Sequence, residues 1–198
     1  VMQSIYDTLD IPTIINAKGP STRVGGGIMA AEVADAMRNA TQFSVEISAL
    51  QGRASEIISE VTGAEAGIVT AGAAAGLLLG TAACICGLNP ALMNRLPDTR
   101  GMRHRVIMAR SQRNLYDHAV RAAGVELLEV GLPDRYSGAG VRDAETWEYE
   151  EAIDENTACV LYVAQPTAKP ALTEVVEVAH ANGVPVLVDA AAQLPPTS

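Results

Sequence analysis

A chain of 198 residues, 48% of them hydrophobic and 19% charged, is long enough for one sizeable core and too ordinary in composition for a disordered or fibrous protein. Its formal net charge of −9 disfavours non-specific nucleic-acid binding, so any bound anion has to be gripped locally by backbone amides or single arginines. The apolar run over 72–88 is rich in small residues and follows a strand pattern, which reads as a buried helix rather than a membrane span. Residues 1–10 carry two acids and no basic cluster, unlike a signal peptide. A cytoplasmic protein is therefore expected, with neither membrane nor nucleic acid among its partners. Cys84, Cys86 and Cys159 are odd in number and lack framework spacing, as reduced, buried thiols do.

The first fifteen residues are irregular, and residues 16–27 gather glycine, proline and polar side chains into a loop. Helical spacing follows over 32–40 (Val33, Ala36, Met37) and over 47–62 (Ile47, Leu50, Ala54, Ile57, Ile58, Val61), with Gly63 as a stop. The segment 66–70 reads as a short strand and 73–86 as a helix. Strands are then expected over 105–109, 125–130, 157–163 and 184–188, with helices over 114–123, 144–153 and 172–182 between them. The long connection 88–104 is of a kind that serves a site or an interface. This alternation predicts an α/β fold, with a mostly parallel sheet covered by helices on both faces. Residues 1–62 form an N-terminal region of loop and helices, and residues 63–198 a larger α/β domain. Ser198 falls just after a strand, so the chain is expected to be cut short before its C-terminal part.

Ligands of parallel α/β sheets gather beyond the carboxyl ends of the strands, and three such ends carry suggestive residues. Asp189 closes an apolar strand, where a carboxylate needs a partner, and a protonated pyridine nitrogen is one such partner. The alternative is an aspartate that caps a turn. Residues 70–76 (Thr-Ala-Gly-Ala-Ala-Ala-Gly) place small side chains at the start of a helix, where Gly72, Ala73 and Ala74 could bring amides to a phosphate, or merely pack the helix closely. The run is neither a dinucleotide fingerprint nor a Walker loop, which disfavours a nucleotide-binding dehydrogenase. Arg110 and Arg113, with Gln112 between them, suit a phosphate or carboxylate, or form a solvated basic turn. Gln165 and Thr167 end another strand at the same edge. His104, His118 and His180 lack metal-ligand spacing, so no metal is expected.

Together these residues resemble the fold-type-I pyridoxal 5'-phosphate (PLP) enzymes, in the branch that contains bacterial selenocysteine synthase and the D-glucosaminate-6-phosphate ammonia-lyases. The resemblance is carried by Ile15-Asn-Ala-x-Gly19 with Thr22-Arg-Val-Gly-Gly26, by Val61-Thr-Gly-Ala-Glu-Ala66, by the run over 70–76, and by Val186-Leu-Val-Asp-Ala-Ala-Ala-Gln193. It implies a PLP-dependent transferase-like large domain. It also implies that Asp189 pairs with the pyridine nitrogen, that Gly72, Ala73 and Ala74 hold the phosphate, and that Gln112 or a neighbour lies against the ring. Gln165 or Thr167 would approach the cofactor's hydroxyl, and Gln193 would complete the cofactor site. Asn16, Thr22 and Arg23 would face substrate in a site shared between subunits of a homo-oligomer, a dimer or higher, with Arg110 and Arg113 near the substrate's anion.

In such enzymes the lysine that carries the cofactor follows the aspartate by one further strand and a loop. Lys18 and Lys169, the two lysines here, stand in other places. The implied activity is a lyase that removes the α-proton of an amino acid or amino-sugar acid and eliminates a β-substituent. Racemase, aldolase and selenium-transferase activities begin in the same way. Outside enzymes the alternative is a non-catalytic binding module on the same fold.

Overall fold

The computed structural model describes residues 4–17, 19, 21–132 and 143–193, with Thr22 represented by its backbone alone. The chain divides into two units, Val1–Ile68 and Val69–Ser198.

In the first unit, residues expected to be irregular form a 3-10 turn over Ile5–Leu9. Ser4 caps it, accepting from the Tyr6 amide while its own amide donates to Asp7. Two helices follow, α1 (Ala31–Ala40) and α2 (Ile47–Thr62). α2 ends where Gly63 takes the left-handed conformation at φ 75°, as the sequence stop implies. Both helices carry the expected apolar stripes, yet none of the described residues over 4–68 is buried.

The second unit holds α3 (Ala73–Cys86), α4 (Pro90–Met93), β1 (Arg105–Ala109), α5 (Asp117–Ala122), β2 (Glu126–Val130), α6 (Thr146–Ala152), β3 (Thr157–Val163), α7 (Leu172–Ala181) and β4 (Val186–Asp189). The strands form one parallel sheet in the order β2-β1-β3-β4. Period-two alternation sends Val106, Met108, Cys159, Leu161 and Val163 to one face, where Leu77 and Ile85 of α3 and Val120 of α5 cover them. Ile107, Ala109, Val160 and Tyr162 face the other way, under Tyr149 of α6 and Val175 and Ala179 of α7. Helices thus cover both faces. β3 is buried along its whole length, as a central parallel strand requires.

Three details differ from the sequence reading. Residues 66–70 are not a strand: a strand needs a ladder, and among the described strands none pairs with them. α5 begins at Asp117 rather than near residue 114, because the Asn114 side chain accepts from the Tyr116 amide and holds a turn there. The 88–104 connection contains α4, capped by Asn89 with Pro90 at its first position.

α3 is apolar on all sides and seats closely on the sheet. A Cβ on Gly80 would come within 2.8 Å of the Cδ1 of Leu187 in β4, so a larger residue there would make that leucine side chain shift. Farther along the helix Cys84 meets Cys159 of β3, and this contact together with burial pushes the Cys159 thiol up. Cys86 and Cys159 are buried, and all three cysteines are free thiols.

Candidate active site

The carboxyl edge of the sheet collects most of the residues singled out in the sequence. Asp189 is the last residue of β4 and is half-buried. Strand alternation puts it on the face of Leu187, which packs in the cluster beneath α3. Its Oδ1 accepts from the Ala191 amide at 3.1 Å, so the turn-capping role is present. Among the described residues its second oxygen makes no hydrogen bond, which leaves one lone-pair face for another partner.

The start of α3 lies at the same edge and on the same face. Gly80 touches Leu187, and Ala73 stands seven residues nearer the helix start, about 10 Å at the usual helical rise. Asp189 stands two residues beyond Leu187, roughly 7 Å along the strand. The helix start therefore projects about 4 Å past the aspartate along the strand direction. The N-cap is Gly72 at φ 108°, with no side-chain cap and nothing within 4 Å of where a Cβ would stand. Thr70 donates its hydroxyl to the Gly72 carbonyl at 2.9 Å and holds the turn. The first amides of Ala73 and Ala74 thus meet open space at the positive end of an apolar helix, the arrangement that accepts a phosphate.

Gln112 ends the 3-10 turn that follows β1 and is buried. Its Oε1 accepts from the Val163 amide at 2.8 Å, whereas its Nε2 is buried without a partner. Val163 is in turn the register partner of Asp189.

Arg110 and Arg113 are already engaged. Arg110 pairs with Glu129 at 2.9 Å, and Arg113 pairs with both Glu129 and Asp117. Asp117 is buried, and its carboxylate raises the Arg113 guanidinium further above its usual range. A substrate anion at these arginines has to compete with Glu129. That acid was missed in the sequence, although β2 sets it beside Met108, two residues before Arg110.

Gln165 and Gln193 line a shallow recess of about 300 Å³ with Tyr162, Pro166 and Leu172, on the α7 side of the strand ends. Thr167 is exposed next to it. Asn16 and Arg23 belong to the first unit. Asn16 donates to the Gly19 carbonyl at 2.9 Å and reaches Gly26, closing its loop, and Arg23 is exposed. The side chain of Thr22 and all of Lys18 lie outside the described residues, and Lys169 is exposed. Among the described residues no cluster of potential metal ligands occurs, and no helix is long and apolar enough to cross a membrane.

No family model matches the chain. It is 35% identical over 198 residues to a D-glucosaminate-6-phosphate ammonia lyase from Salmonella typhimurium (strain 14028s / SGSC 2262), over 96% of this chain and 52% of that protein. It is 28% identical over 193 residues to a 5'-C-glycyluridine monooxygenase-decarboxylase from Streptomyces sp, over 95% of this chain and 48% of that protein. A solved structure of D-glucosaminate-6-phosphate ammonia-lyase superposes with a TM-score of 0.86 at 33% identity, over 95% of this chain and 51% of that chain. The chain thus spans about half the length of the curated relatives it matches. In sequence and in backbone it is a homologue of D-glucosaminate-6-phosphate ammonia lyase, with the α/β fold of the PLP-dependent transferase-like, fold-type-I group.

Proposed function

We propose that this chain is the cofactor-holding portion of a PLP-dependent lyase that removes the α-proton of an amino-sugar acid, expels a β-substituent and releases ammonia. The observation that carries this reading is the placement of a carboxylate with a spare oxygen and an uncapped helix start on one face and one edge of the sheet. The relative named as an ammonia lyase supports the reaction type and an amino-sugar acid, carrying a phosphate of its own, as substrate. Racemase, aldolase and selenium-transferase reactions share the first step and stand as alternatives.

The residues fit PLP. The open cradle at Gly72, Ala73 and Ala74 suits its phosphate, and the orphaned Gln112 Nε2 is a buried donor that the described residues leave without an acceptor. Asp189 would pair with the ring nitrogen, with Gln112 beside the ring and Gln165, Thr167 and Gln193 toward its other polar groups. Bound there, the cofactor supplies an electron sink for the charge left when the α-proton departs. In the second unit Arg110 and Arg113 would face the substrate's anion in competition with Glu129, and the resemblance gives Asn16, Thr22 and Arg23 of the first unit as further substrate residues. The test is titration of the natural-length protein with PLP, followed by assay of ammonia from a phosphorylated amino-sugar acid. A visible absorption change that inorganic phosphate competes away, with ammonia formed, is expected; no PLP binding overturns the reading.

The protein also acts as a dimer or larger homo-oligomer in the cytoplasm. The exposed apolar side chains of the first unit, among them Met37, Phe43, Ile47 and Leu50, support this, because such stripes are covered in a working protein. Light scattering is expected to give at least twice the monomer mass. A stable monomer with full activity overturns it.

A further inference from the structure

We infer that Gln112 is the positioning residue for Asp189, acting through the backbone at the end of β3. The inference rests on the role given to Asp189 above. The reason lies in the unequal lengths of two neighbouring strands. β1 pairs with β3 from Arg105 opposite Thr157 to Ile107 opposite Val160, and then leaves the sheet at Ala109 for the 3-10 turn Arg110–Gln112. β3 runs on to Val163, so its last amides on that side have lost their ladder partner. The Gln112 side chain returns from the turn and accepts from the Val163 amide at 2.8 Å, standing in for the missing strand. One residue farther, on the other side of β3, the Ala164 amide donates to the Asp189 carbonyl at 2.9 Å.

These two bonds link the Gln112 amide to the backbone of Asp189 through Val163 and Ala164. Both termini of the link sit at the carboxyl edge, where β4 has only just ended and Asp189 has one side-chain bond, to Ala191. Gln112 is 4% exposed, so its carbonyl is desolvated and the bond is not exchanged for one to water. An arginine or lysine could not replace it, because neither has an acceptor. Loosening Val163 releases Ala164 as well, and with it the height of the aspartate above the sheet. Through its Oε1 Gln112 reaches the ring nitrogen by way of Asp189, a route separate from the direct contact that its Nε2 would make beside the ring.

The experiment is a double-mutant cycle in the natural-length protein, with Gln112→Met, Asp189→Asn and the pair. The readouts are the visible absorption spectrum of bound PLP, its pH titration, and turnover. Gln112→Met alone is expected to shift the spectrum and to lower turnover about tenfold, the worth of one buried hydrogen bond. In the Asp189→Asn background the same substitution is expected to cost clearly less, because only the direct Nε2 contact remains to be lost. An equal loss in both backgrounds means that Gln112 acts independently of Asp189, and overturns the inference while leaving the functional reading intact. Full turnover in Asp189→Asn overturns both. If Gln112→Met does not fold, hydrogen exchange of the unaltered apoprotein decides. The Val163 amide is expected to be as protected as those of Val160 and Leu161, and rapid exchange there overturns the clamp.

Discussion

Asp189→Asn is expected to leave the natural-length protein folded and to lower its turnover by about 10²–10³-fold, the usual cost of deleting one well-placed electrostatic contact in an active site. The substitution separates two jobs that the structure gives to one side chain. Asn keeps an Oδ1, so the bond from the Ala191 amide survives and the turn after β4 stays closed. What disappears is the negative charge on the other oxygen, the one with no bond among the described residues. Stability should therefore change by less than about 0.5 kcal/mol, as for ordinary partly exposed substitutions. Asp189→Glu should also lose turnover, since one more methylene carries the carboxylate away from its place. Thermal unfolding and turnover measured on the same preparation check this. Near-normal turnover in a well-folded Asn variant leaves only the capping role, and the functional reading loses its main support.

The largest stability effect is expected at Gly124, far from any chemistry. This residue follows α5, has φ 96°, and faces Pro97 in the connection after α4. A Cβ there would overlap the Pro97 carbonyl oxygen and stand 2.8 Å from the carbonyl carbon, which is backbone and cannot swing aside. The Gly124 carbonyl is also held, by the Thr99 hydroxyl at 2.7 Å. Gly124→Ala combines left-handed strain with overpacking and should cost about 3–5 kcal/mol. Denaturant unfolding measures it. A loss below about 1 kcal/mol would mean that the connection moves freely away from Gly124.

Much of the architecture was legible because it rests on local rules. α2, α3, β1 and β3 appear with the limits that apolar spacing and glycine stops imply, and β3 is buried end to end as its unbroken apolar run requires. The segment 66–70 shows where such rules stop. An apolar run states a preference for burial, but a ladder partner lies elsewhere in the chain. The site divides in the same way. Asp189 and the start of α3 were readable, since strand ends and small residues at a helix start are local features. The bond from Gln112 to Val163 spans 51 residues, and the pairing of Arg110 with Glu129 depends on which strands lie side by side. Neither leaves a mark in composition or spacing.

The first unit has a consequence for how the chain acquires its order. None of its described residues is fully buried and only a few, Ala54 and Ile58 among them, are half-buried, so within the unit little desolvated apolar surface offsets the entropy lost in fixing its backbone, roughly 1–2 kcal/mol per residue. Helices of 10 and 16 residues are marginal by themselves in water. A free fragment of this unit would therefore sample helix only transiently. Its structure is conditional on the surface that covers Met37, Phe43 and Leu50, so folding of the unit and formation of that contact would be one event with one midpoint.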